Sequence, residues 1–145
     1  MRYYKIKSYA KINISLGILG KLKSKLHKVE SLFSFINLHD EIFIKKIKAK
    51  NHKIIFYGKF SQGIFKNNTI SNLLKLLEKN LSGQKYLIKI NKKIPLKSGM
   101  GGGSMNASSL LNFLDKNQKL NLSPKEIAKI SSKIGSDVVI GLQKK

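Results

Sequence analysis

Cysteine is absent from these 145 residues, and only seven acids stand against 29 lysines and arginines, a net charge of +22. Without cysteine there is neither a disulfide framework nor a thiolate metal site, and His27, His39 and His52 show no ligand spacing. The sequence therefore predicts no metal held by the protein alone. No stretch approaches the roughly 18 to 20 apolar residues of a membrane span, and "MRYYKIKSYAKINI" lacks an apolar run of signal-peptide length. The chain reads as soluble and cytoplasmic. A fixed-period repeat and a Ser/Pro linker are also missing, so a single domain over residues 1–145 is the expectation.

The charge admits two readings. Such a field attracts anions: nucleic acid, phosphorylated metabolites or an acidic membrane. Alternatively, a Lys-, Ile- and Asn-rich coding bias makes any chain basic, and these lysines are scattered rather than gathered in one block. The aromatic interleaving used by single-strand binders is not visible along the chain.

What is present is ordered. Residues 3–57 favour period two: a first strand carries Tyr3, Tyr4, Ile6, Ile12, Ile14, Leu16 and Ile18, and "VESLFSFINL", "EIFIKKIK" and "HKIIFYG" read as three more. Asp40 and Glu41 fall in an "HDE" turn between two of them. After Asn67 the period becomes helical, with Ile70, Leu73, Leu74 and Leu77 on one face of a helix stopped by Gly83. "KYLIKIN" is a last strand before the loop "IPLKSGMGGGSMNAS". Beyond it, Ala107, Leu110, Leu111 and Leu114 stripe a helix starting near Ser104. Ser123, Pro124 and Glu126 then supply an N-cap, a first-turn proline and a capping-box carboxylate for a helix ending at Gly135. The order implies an α+β fold with a mixed or antiparallel sheet and helices packed on it.

The loop holds four glycines, Gly99, Gly101, Gly102 and Gly103, and enters a helix. Bare backbone N–H groups in front of a helix dipole make an anion site, and phosphate is its natural occupant. It is not a Walker A loop, because Ser104 is followed by Met105, and it fails the dinucleotide fingerprint. On "AKINISLGI" the even positions are apolar, so Lys11 and Asn13 project together from the other face. Acids are so few that the shortlist for a general base is Glu30 and Asp137, the latter in a turn before an apolar strand, "DVVIG".

"YAKINISLGI", His27, "IPLKSGMGGGSMNAS" and "GSDV", in that order, resemble the GHMP kinase superfamily. The likeness extends to about Gly141. The resemblance implies the N-terminal, ATP-binding domain of that family, a ribosomal protein S5 domain 2-like fold, with a C-terminal domain expected beyond this chain. It implies an ATP-dependent kinase with Mg²⁺ carried by the nucleotide, acting on a cytidine diphosphate derivative of methylerythritol in isoprenoid biosynthesis. Asp137 would take or orient the proton of the attacking hydroxyl, and Lys11 would pair with it and steady the developing charge. Gly99, Met100, Gly101, Gly102, Gly103 and Ser104, with Pro95 before them and Asn106 after, would cradle the triphosphate; Asn68 and Lys93 match positions near base and ribose. Asn13, His27 and Phe33 match the cytidine end. Leu26 stands where the family carries a stacking tyrosine. A rival reading keeps the fold but makes the chain a basic RNA-binding domain without catalysis.

Overall fold

The computed structural model describes residues 2–21 and 27–142. Among these the elements run β1 (Tyr4–Lys21), β2 (His27–Ile47), β3 (Lys53–Tyr57), α1 (Thr69–Leu76), β4 (Lys85–Asn91), α2 (Gly102–Gln118), α3 (Pro124–Ile134) and α4 (Ser136–Leu142). The strands form one mixed sheet in the order β1-β2-β4-β3, antiparallel except where β3 runs parallel to β4. α1 is the crossover that this parallel pair requires. The architecture is the expected α+β.

The core lies between the sheet and the helices. Period two on β4 turns Tyr86, Ile88 and Ile90 inward, beside Ile42 and Ile44 of β2, all essentially without solvent contact. Leu73 and Leu74 of α1 and Ala107, Leu110, Leu111 and Leu114 of α2 meet them. Burying one such side chain fully contributes roughly 1.5–3 kcal/mol. α3 starts as its sequence predicts: the Ser123 hydroxyl accepts the Glu126 N–H, and Glu126 accepts the Ser123 N–H at 2.8 Å.

Five expectations need correction. "HDE" is not a turn: the two strands predicted around it are one, β2, with Asp40 inside it opposite Ser8. The turn signal coincides with a slip in the ladder, where β1 advances from Tyr9 to Lys11 while β2 runs from His39 to Phe35. "DVVIG" is helix α4 rather than strand, because a short apolar run fits either element and here it packs on α2. α2 begins at Gly102, two residues before Ser104, and α1 closes at Leu76, with turns rather than helix up to Gly83. The apolar face of β1 divides, Ala10 being buried and Ile14 exposed.

His52 joins the sheet to the end of α1. Its Nδ1 accepts the Tyr86 N–H at 3.1 Å and its ring stacks on Tyr86 at 5.9 Å, while Nε2 lies 3.4 Å from Glu78 without a hydrogen bond. Burial pushes the ring's pKa below its ordinary 6.5, against the pull of Glu78. A folded pKa below the unfolded one means that folding disfavours the proton. His52 therefore stabilises the fold above the ordinary imidazole range and loses that contribution as pH falls through it. Thermal unfolding between about pH 7.5 and 5.5 should show a falling Tm that is shallower in His52→Phe, which keeps the stack without a titrating nitrogen. Identical slopes would refute the assignment.

Candidate functional site

The site is assembled where β1 meets the glycine loop. The Lys11 N–H donates to the Met100 carbonyl at 3.0 Å, tying the first strand to the loop. Gly99 and Gly101 carry φ of +75° and +70°, and Gly101 caps α2 in the left-handed region, where a side chain would be strained. A Cβ there would also stand 3.1 Å from Lys11 Cγ. The lysine stem therefore lies against bare backbone, and its side chain is 5% exposed.

The ammonium reaches Asp137 Oδ2 at 3.1 Å and Asn13 Oδ1 at 3.2 Å. The expected pairing of Lys11 with Asn13 thus holds, and Asp137, on the first turn of α4, joins them. α4 is held by the Ser108 hydroxyl, which donates to the Val138 carbonyl at 2.6 Å. A Cβ on Gly141 would come within 2.6 Å of Ser108 Cβ, so only glycine lets α4 approach α2 this closely.

Two cavities adjoin the start of α2. One, about 230 Å³, is lined by Pro95, Gly99, Gly101, Gly102, Gly103 and Ser104 among others. The second, about 280 Å³, has an apolar wall of Phe56, Ile64, Phe65 and Leu96 and includes Asn68, Thr69 and Asn106. Lys11 and Asp137 lie beyond Gly101, outside both linings. α2 has no acidic residue and no side-chain cap in its first turn. Asn106, 1% exposed, leaves Oδ1 without a partner. A buried acceptor or donor without a partner costs about 1–3 kcal/mol, which a ligand would recover.

Lys93, predicted near the nucleotide, points elsewhere: it pairs with Glu41 at 3.0 Å. Lys5 and Lys93 together hold the Glu41 carboxyl down to about 2. Lys92 and Lys97 line both cavities, and period two points to Lys92, since it has the inward parity of Ile88 and Ile90. Thr69 was also missed; its hydroxyl donates to the Gly103 carbonyl at 2.9 Å and brings the starts of α1 and α2 together. Asn68 lines the wider cavity, but its side chain caps α1 and holds the carbonyls of Phe65 and Lys66. Asn13 and Phe33 are cross-strand partners, and Phe33 sits edge-on to Phe35 at 5.9 Å. His27 pairs with Lys21 at the far end of that ladder. The side chains of His27 and Glu30, and the whole of Leu26, lie outside the described residues.

A family model described as the N-terminal domain of GHMP kinases matches residues 68–144. The chain belongs to the GHMP kinase family. Two curated relatives, both 4-diphosphocytidyl-2-C-methyl-D-erythritol kinases, come from Pelagibacter ubique (54% identical over 145 residues, 99% of this chain and 51% of the relative) and Thermoanaerobacter pseudethanolicus (34%, covering 99% and 49%). This GHMP kinase chain thus spans about half the length of the curated relatives it matches. Among solved structures, a 4-(cytidine 5'-diphospho)-2C-methyl-D-erythritol kinase shares the fold at a TM-score of 0.75 and 22% identity, over 96% of this chain and 48% of that one. Homoserine kinase from Cytophaga hutchinsonii does so at 0.64 and 18%, over 96% and 42%. The RNA-binding alternative finds no support among them.

Replacing Gly141 by valine should cost about 1–3 kcal/mol, because the α2–α4 contact has no room for it. Thermal unfolding reads the loss, and Ser108→Gly should restore part of it. A Gly141→Val variant as stable as the unsubstituted chain would disprove the packing role.

Proposed function

We propose that this chain forms the ATP-binding half of a kinase that transfers the γ-phosphoryl group of ATP to the 2-hydroxyl of 4-diphosphocytidyl-2-C-methyl-D-erythritol. One observation carries the reading: a buried lysine paired with a carboxylate is fixed, by its own backbone, to the glycine loop that opens a helix. The relatives' names supply the substrate.

The glycine-lined cavity fits a polyphosphate, since the uncapped N–H groups of α2 and the Lys92 ammonium face it. The wider cavity fits the adenosine: its apolar wall accepts the base, and Asn106 offers an unpaired amide. Asn68 acts indirectly, by fixing the loop that carries Phe65. Mg²⁺ would arrive on the nucleotide and neutralise charge on its phosphates; Ser104 and Asp137 are the oxygen-bearing side chains that would face it. Asn13 and Phe33 form the near edge of the cytidyl site, with His27 assigned to the cytosine edge by resemblance.

In the transfer, the substrate hydroxyl oxygen bonds to the γ-phosphorus as the bond to the β,γ-bridging oxygen breaks, and the hydroxyl proton passes to Asp137. Lys11, held by Asn13 and Gly101, keeps Asp137 in place and stabilises negative charge on the transferring group.

To test this, the chain can be joined to the remaining half of the Pelagibacter relative and assayed with labelled ATP. Asp137→Ala should lower kcat on the order of 100- to 10,000-fold with ATP affinity nearly unchanged. Normal turnover in that variant would remove the role given to Asp137. Gly102→Val, whose Cβ would sit 3.2 Å from Ile94 and 3.4 Å from Lys92 Nζ, should instead weaken ATP binding about 10-fold or more. Unaltered affinity would count against the loop as phosphate cradle.

A further inference from the structure

Asp40, unused by the reaction above, is as buried as any residue in the molecule, at 0% exposure. Its Oδ1 accepts the Lys93 and Ile94 N–H groups at 2.7 and 2.9 Å, and its Oδ2 accepts from the Lys92 ammonium. Lys92 is itself 2% exposed, and its Nζ lies 3.4 Å from where a Cβ on Gly102 would sit, under the first turn of α2. Among the described residues the ammonium makes one hydrogen bond, to Asp40. Two of its three N–H donors are therefore left for the cavities that Lys92 lines.

A buried ion pair is a poor way to gain stability, because apolar residues of similar volume often serve as well; what it fixes is orientation. The geometry points to Asp40 as a positioning residue for nucleotide binding: through Lys92 it aims a cation at the nucleotide's oxygens, and through Lys93 and Ile94 it anchors the root of the glycine loop. A lysine on a four-carbon stem would otherwise adopt many rotamers, and one carboxylate at its tip selects among them. The inference rests on the nucleotide reading above and adds a residue that does not touch the ligand.

The test is a double-mutant cycle on the 145-residue chain, with ATP affinity measured by titration calorimetry and folding by thermal unfolding. Asp40→Asn and Lys92→Met should each weaken ATP binding on the order of 10-fold, and the double variant should bind no more weakly than Lys92→Met alone. A purely structural Asp40 would lower Tm without this non-additivity in affinity. Full affinity in Asp40→Asn, or losses that multiply in the double variant, would overturn the proposal. If Asp40→Asn does not fold, Lys92→Met against the double variant reads the same coupling, since the double variant removes both buried charges: equal affinities support the proposal and a further loss overturns it. Absence of ATP binding by the unsubstituted chain would refute the nucleotide reading itself, and this inference with it.

Discussion

A single backbone hydrogen bond, from the Lys11 N–H to the Met100 carbonyl, sets the geometry on which the site depends. It joins segments far apart in the chain, and it does so where β1 departs from strict alternation. Ser8, Ala10 and Lys11 are all buried, which a regular strand cannot arrange, because neighbours face opposite sides. The slip in the β1–β2 ladder between Tyr9 and Lys11 resolves this by turning Lys11 toward the loop. Once turned, its stem needs a surface without side chains, and Gly101 provides it. The same residue caps α2 in a left-handed conformation, so one glycine serves both the helix start and the lysine.

The electrostatics around that helix start follow a consistent logic. The first turns of α1 and α2 meet at the Thr69–Gly103 hydrogen bond, and their positive ends add. α1 is neutralised locally by the Asn68 cap, whereas α2 has no side-chain cap. Lys92 adds a cation beside it, balanced on its far side by Asp40. Such an arrangement is stable only because Asp40 also takes two backbone N–H groups, which satisfies its remaining lone pairs. The side facing the cavities stays unbalanced and suits an anion.

Much of this was legible in sequence, and the failures share a cause. α2, α3 and the inward faces of β4 and α1 follow from local periodicity and caps, which act within a few residues. The pairing of Lys11 with Asn13 follows from strand alternation, and the glycine run predicts a helix start left uncovered by side chains, which α2 has. The errors at "HDE" and "DVVIG" arose where distant partners decide. Asp40 reads as a turn former until Lys92, Lys93 and Ile94 supply its donors, and "DVVIG" reads as a strand until α2 offers it a surface. Lys92 and Lys93 differ in kind: the alternation that sets Asn13 beside Lys11 also turns Lys92 inward and leaves Lys93 to pair with Glu41.

The scarcity of acids, first an obstacle to reading the charge, turns out to discriminate. Of the six whose side chains are described, Asp40 and Glu41 bind lysines and hold the strands in register, Glu78 pairs with Lys85, and Asp115 and Glu126 accept backbone N–H groups at helix boundaries. Each of these anchors an element to its neighbour. Asp137 also pairs with a lysine, Lys11 of β1, but α4 is already fixed by Ser108 and Gly141. Its carboxylate is 35% exposed while its partner Lys11 is nearly enclosed. Surface pairs contribute little to stability, and enclosing a lysine for the sake of a half-open carboxylate is unfavourable. Asn13 supplies Lys11 with a second partner but no charge, and a further anion beside the lysine would offset the cost of enclosing it. The polyphosphate proposed at the mouth of α2 would be such an anion, across Gly101 from the pair.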